Sequence, residues 1–259
     1  MKALPCPLAL LLASLLSGAA EARSPAPGLS VQAQAAIRAH HSHRAIELLA
    51  PVYRDPARYP ASESPPLLLL LGEAAEANVA GLNSRYWTRG RLDPHSPSWH
   101  RFISSEQRWA ARNGADFEYD EPRGRYRYTG DAYKLLKARF PRHPLVDEAD
   151  WRLIPRQEDD WYRRRNADPA MEDAERYRQF LKAHPRSRHR WEAKLAIGWD
   201  TIYASGVTWG DPDKRLLHKG QDLLREVMRA VPGRPEARKA QVLLERSRNP
   251  FSYSPYGRD

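Results

Sequence analysis

One cysteine stands in the whole chain, at position 6. It precedes the apolar run Leu8–Leu16, where a lipid-modified cysteine would follow it, and every later residue lacks a thiol for a disulfide, a metal or a nucleophile. Long apolar runs are scarce too. Leu8–Leu16 falls well short of the roughly 18 residues that cross a bilayer. The next run, Leu67–Leu71, is shorter still and bounded by Pro66 and Gly72. There is no Gly-x-Ser-x-Gly elbow, His-Glu-x-x-His pair or phosphate-cradling glycine loop. Ser104 and Ser105 have no identifiable base. The sequence therefore points to no catalytic residue, cofactor or metal, although a site assembled in three dimensions need not leave a local motif.

What is present begins with a leader. Met1-Lys2 supplies a positive start, the apolar run follows, and Ala20-Glu21-Ala22 offers the small-x-small pattern of a signal-peptidase site. The expectation is a signal peptide over 1–22, cut near Ala22, and a periplasmic or otherwise exported mature chain without a transmembrane segment. A retained anchor is the alternative. Without disulfides, stability must come from burial, and the remaining length suffices for one or two domains. Mean hydropathy is low, at −0.74, but the apolar residues are clustered and periodic. Eight Trp and twelve Tyr supply large burial areas.

The net charge is +10. Arg163-Arg164-Arg165 and the Arg186, Arg188, Arg190 stretch favour acidic partners. In an exported protein these are acidic envelope polymers, anionic lipid surfaces or acidic proteins, and no nucleic acid. A solvated helix face is the plainer reading of any one such run.

Internal similarity carries the most information. Pro141, Pro185 and Pro232, spaced 44 and 47 residues apart, head segments that superpose without gaps. Eight residues after each stands Ala149, Ala193 or Ala240; eight before, Tyr133, Tyr177 or Leu224. Five before come Leu136, Phe180 and Val227, and twelve after come Leu153, Ile197 and Leu244. Steps of three and four place the apolar residues on one helical face. The proline cannot continue the helix and turns the chain. The small alanine then lets a second helix approach closely. One hairpin cannot bury its apolar face alone, so neighbouring hairpins must stack.

Pro185-Arg186-Ser187 followed by Ala193, Ile197 and Gly198 resembles the P-x-S…A-x-x-x-hydrophobic-G run of tetratricopeptide-like (TPR) periplasmic proteins. Pro141-Arg142-His143-Pro144 with Ala149 is similar but lacks the glycine. Pro232-Gly233 with Ala237, Lys239, Ala240, Gln241 and Leu244 resembles the closing helix of the coordinator of the Tol-Pal envelope system. The TPR lipoprotein of outer-membrane-protein assembly has similar repeats. The resemblance covers residues 129–248. It implies an all-α, helix-hairpin (TPR-like) solenoid and a scaffold role without a named partner. Departures exist: the small residue expected twelve before the proline is Thr129, Asp173 or Gly220, and only the last fits. The period is also longer than a standard TPR, which places extra residues in polar loops at Asn166–Pro169 and Ser205–Pro212. Pro155 should break the helix after Ala149.

The remainder divides into an N-terminal helical region (23–114), a β-hairpin (115–128) and a tail (249–259). Val31–Tyr53 has helical spacing, with Ile37, Ala45, Ile46 and Leu49 on one face. Pro56–Pro66 reads as a linker, and Leu67–Leu82 and Trp99–Arg112 as helices. Phe117–Asp120 and Arg125–Tyr128 alternate with period two about Glu121-Pro122-Arg123-Gly124, which predicts a hairpin with aromatics on one face and acids opposite arginines. Such a hairpin must pack on the helices.

Candidate functional residues are few. His40 and His43 fall on one helix face and His41 on another, and no acid is poised beside them, so they read as solvated helix-end histidines rather than a metal site. Asp147, Glu148 and Asp150 with Glu158, Asp159 and Asp160 could supply paired carboxylates for glycan hydrolysis. Asp147 and Glu148 are more simply read as acids at a helix N-terminus. Trp87, Trp99, Trp161 and Trp209 stand at loops or helix ends, as binding platforms or as core packing, whereas Trp151, Trp191 and Trp199 lie in second helices of repeats. The leading expectation is a non-enzymatic periplasmic scaffold. A groove lined by Tyr177, Arg178, Arg188 and Trp191 would dock an envelope protein or peptide, acidic ones among them. A peptidoglycan-directed hydrolase or glycan-binding subunit is the alternative, and a structural assembly subunit a third.

Overall fold

The computed structural model describes residues 28–88, 96–121, 124–154, 167–206 and 212–248. The leader, the arginine triplet 163–165, the acids 158–160, Trp161, Trp209, the C-terminal tail and the Trp87 side chain lie outside that description. The described chain is mostly helical, with one two-stranded antiparallel sheet. Among these residues no helix is long and apolar enough to cross a membrane.

The first helical segment divides. Helix α1 (Leu29–Arg38) and α2 (Ser42–Arg54) are separated at Ala39–His41, where the sequence predicts a single helix. His40 has φ of 60°, and His41 N–H donates to Ala36 O at 2.8 Å, closing α1 with a left-handed turn. The break allows both pieces to pack on α3 (Ser64–Thr88), burying Ala33, Ala45, Ile46 and Leu49. Helix α3 begins within the expected linker, because its two prolines fall in the first turn, where no intrahelical N–H is needed. It is buried on most sides, through Leu67, Leu68, Leu71, Ala74 and Ala75.

Helix α4 (Pro97–Arg112) leads into β1 (Phe117–Asp120) and β2 (Arg125–Tyr128), the predicted hairpin. Its register sets Glu118 against Arg127 and Asp120 against Arg125. Helices pin it. Asn83 of α3 donates to Tyr126 O and accepts from Tyr126 N–H, both at 2.8 Å, acting as a short extra strand. Gln107 of α4 donates to Phe117 O at 2.8 Å. Phe117 and Tyr126 are buried in edge-to-face contact.

Three helix pairs follow: α5 (Asp131–Arg139) with α6 (Val146–Leu153), α7 (Ala167–Ala183) with α8 (Arg190–Ala204), and α9 (Lys214–Ala230) with α10 (Pro235–Arg248). Each marked proline sits in the turn between the two helices of a pair. The three turns share their backbone hydrogen bonds. The residue before the proline donates back four positions, as Phe140 N–H to Leu136 O, His184 to Phe180 and Val231 to Val227, at 2.8–3.1 Å. The second residue after it bonds the residue before it, as His143 to Phe140, Ser187 to His184 and Arg234 to Val231. Val146, Arg190 and Ala237 then bond three positions back in the same way. Ala149, Ala193 and Ala240 are fully buried.

Helix α7 starts at Ala167, inside the segment expected as a loop. Helix α6 ends at Leu153, and Ile154 is extended with ψ of 120°, as the residue preceding a proline prefers.

Three apolar clusters result. A large one gathers α1–α6 and the hairpin around α3. A second joins α8, α9 and α10. Between them lies a small one, Trp151, Phe180 and Ala193, from α6, α7 and α8.

Candidate functional site

The four residues expected to line a groove divide between packing and pairing. Tyr177 packs on the small cluster, its ring 5.7 Å from that of Trp151. Arg178 pairs with Glu175 one turn earlier on α7, at 3.3 Å. Arg188 is mostly exposed, but its guanidinium reaches the buried Glu148 of α6. Trp191 packs instead on the α8–α10 cluster, with Arg190 4.4 Å and Lys194 5.2 Å from its ring.

Glu148 is the hub of a charge cluster that composition could not reveal. It occupies the first turn of α6, as expected, yet is only 3% exposed. Arg152 Nε donates to it at 2.9 Å, His189 Nε2 lies 2.6 Å away, and Arg188 completes the shell. Burial alone would raise this carboxyl. Hydrogen bonds from His189, Arg152 and Arg188 outweigh burial and hold it at about 2, below its ordinary 4.5. Arg152 extends the cluster to Glu76 and Glu73 of α3 at 2.8 and 3.2 Å. Burial leads the rise of the Glu73 carboxyl above its usual value. His189 stacks on Trp151 with centroids 4.6 Å apart, so charge and apolar surface are joined at the same place. A general acid needs a proton at working pH, and a carboxyl held this low carries none.

The other expected sites resolve locally. Trp99 is buried, and its indole N–H donates to the Tyr126 hydroxyl at 3.2 Å, which is core packing. His43 does have an acid beside it. Its ring stacks on Trp109 at 4.1 Å, and Nε2 lies 3.0 Å from Glu106 of α4. Sequence adjacency missed this because the acid comes from another helix. No group of three metal-ligating side chains converges among the described residues.

Two helical glycines meet between α8 and α9. A Cβ on Gly220 of α9 would stand 2.6 Å from the Gly198 carbonyl of α8, and 2.6 Å from Ile202. A Cβ on Gly198 would meet the Gly220 carbonyl at 3.2 Å. The backbones of α8 and α9 therefore touch at these two glycines.

Across the same cluster, α8 and α10 leave an open apolar groove of about 330 Å³. Leu195, Val242 and Leu243 form its apolar lining; Arg238, Lys239 and Arg246 stand around it. Lys239, Val242, Leu243 and Arg246 recur at three- and four-residue steps, hence on one face of α10. Val242 is 46% exposed. Leu195 lies one turn after Trp191 on α8, which connects the groove to one of the four expected residues. The alternation of cation and aliphatic was present in the sequence. The inward face, with Ala240 and Leu244, was legible as well and is buried; that the other face borders an open groove with Leu195 was not, because it depends on how α8 packs against α10.

No protein-family model matches the chain, and no curated protein matches it.

Proposed function

We propose that this chain is a non-enzymatic, exported, TPR-like scaffold, whose stacked hairpins dock an acidic, partly apolar segment of a cell-envelope protein. The observation that carries the reading is the recurrence of one turn, with the same three backbone bonds, at Pro141, Pro185 and Pro232. Repetition of one supersecondary unit is how a chain extends a binding surface without adding chemistry. The contact of Gly198 with Gly220 supports the kinship with tetratricopeptide repeats. The apolar floor and cationic surround of the α8–α10 groove support an acidic amphipathic occupant: a helix or strand whose aliphatic side chains cover Val242 and Leu243 while carboxylates meet Lys239 and Arg246.

Val242 is the place to test this, because it is exposed and its replacement leaves the core intact. A photo-crosslinking residue at 242, activated in intact cells, is expected to capture one envelope protein through an acidic segment. Val242→Glu with Lys239→Glu is expected to weaken binding of the corresponding synthetic peptide by about a hundredfold, with an unchanged circular dichroism spectrum. Capture of a second copy of this chain alone, or undiminished peptide binding by the double variant, overturns the assignment. Release of soluble fragments from purified peptidoglycan by the wild-type chain overturns the non-enzymatic reading.

A further inference from the structure

The groove between α8 and α10 constrains the conformation of whatever lies in it. Helix α10 packs chiefly on α9 and less on α8, which leaves the furrow open beside Leu195. Both walls are helix interiors. Leu195 lies well inside α8, and Lys239, Val242 and Leu243 lie inside α10, where backbone N–H and C=O groups bond within the helix. All the lining residues are helical, so an extended segment would find no strand edge to pair with. It would also bring its own unpaired backbone groups against an apolar floor. A helix satisfies its backbone internally and presents only side chains.

The charges add a spacing. Lys239 and Arg246 stand seven residues apart on α10, about 10.5 Å along its axis, with Val242 and Leu243 between them. Two residues seven apart on a second helix repeat that separation on one face. Along a strand, side chains of one face recur about every 6.7 Å, so pairs fall near 6.7 and 13 Å and match it poorly. Among the described residues, three cations and no carboxylate line the groove. The acids of the same two helices are placed elsewhere. Glu192 lies 3.5 Å from His189 and Glu236 3.4 Å from Arg234, Glu245 accepts from Gln241, and Asp200 is buried. Arg238 donates to Gly233 O at 2.7 Å, which holds it towards the α9–α10 turn. Lys239 and Arg246 are thus the cations that bracket the exposed Val242 along the groove.

We infer, on the basis of the scaffold reading proposed above, that the segment docked in this groove is an amphipathic α-helix with two acids seven residues apart. Aliphatic residues stand three and four positions after the first acid. The carboxylates meet Lys239 and Arg246, and the aliphatics cover Val242 and Leu243, so the occupant mirrors the spacing of α10 itself.

Two labelled synthetic peptides of identical composition, titrated with the full chain and followed by fluorescence anisotropy, test this. One places glutamates and leucines at i, i+3, i+4 and i+7; the other alternates apolar and polar residues as a strand would. The first is expected to bind saturably, about tenfold or more tighter than the second, and to gain helical circular dichroism on binding. Lys239→Glu, at an exposed position that leaves the fold intact, is expected to weaken it by about tenfold. A peptide whose facing glutamate is replaced by lysine is expected to recover most of that loss. Equal binding of the two peptides, binding without added helix, or an affinity that Lys239→Glu leaves unchanged overturns the helical assignment. Photo-capture at position 242 keeps the two readings apart. An envelope protein captured there while neither peptide binds leaves the scaffold and sinks the helix. A patterned peptide that binds while no envelope protein is captured leaves the helix-binding groove and sinks the scaffold.

Discussion

Glu148→Gln keeps the size of the side chain and removes its charge, leaving Arg152, Arg188 and His189 around a neutral amide. Loss of one partner from a buried ion cluster costs about 3–5 kcal/mol, and the exposure of Arg188 brings the expected loss to about 2–3 kcal/mol. Urea denaturation measures it. The sign of the pH dependence follows from the lowered carboxyl. It titrates at about 2 in the fold and at 4.5 ordinarily, so its stabilisation is complete above pH 4.5 and is lost as the pH falls towards 2. The melting temperature of the wild-type chain should therefore fall more steeply through that acid range than that of Glu148→Gln. Parallel profiles would remove the cluster as the cause. The acid itself was visible in the sequence, in the first turn of a helix. Its partners were not, since Arg188 and His189 lie some forty residues further along and reach it only when α6 and α8 pack together.

Among elements, the helix crossing at Gly198 and Gly220 offers a contrast with Gly81. Glycine to alanine in a helix ordinarily gains about 1 kcal/mol. Gly81 is exposed on α3, and a Cβ there meets nothing within 4 Å, so Gly81→Ala should stabilise by about that amount. At Gly220 the new carbon would press on the backbone of α8, which cannot yield as a side chain can. Gly220→Ala should instead destabilise by about 2 kcal/mol or more. Thermal melts of the two variants should move in opposite directions. The hairpin is a different case. Its strands and charge pairing follow from period-two alternation, but Arg127 and Glu118 are both about half exposed. Arg127→Ala should cost under about 1 kcal/mol. The helix pairs were legible because a proline, an alanine and aliphatic steps fix turn, close approach and buried face together. The split between α1 and α2 was not, because a left-handed residue such as His40 is chosen by what the flanking helices can bury against α3.

At the scale of the molecule, two larger cores are joined through a small one. Hydrogen exchange is expected to resolve two cooperative units, one built on α3 and one on α8–α10, with α7 exchanging at the lower protection of the pair. Uniform protection through α3, α7 and α9 would contradict this. The sequence indicated how many helix pairs the second half contains. Which faces remain open is set by how the pairs cross, and no periodicity states that. The small core of Trp151, Phe180 and Ala193 is tied by ions as well as by apolar contact: Glu148 to Arg188 and His189, and Asp150 to His184 at 2.8 Å. Opening this joint uncovers fewer buried apolar side chains than opening either larger core. Part of what resists opening is Coulombic, and the exposed Arg188 end of it is screened by salt. Backbone amides at this joint should thus exchange more slowly in dilute buffer than in brine, a contact whose strength is set in part by the surrounding electrolyte.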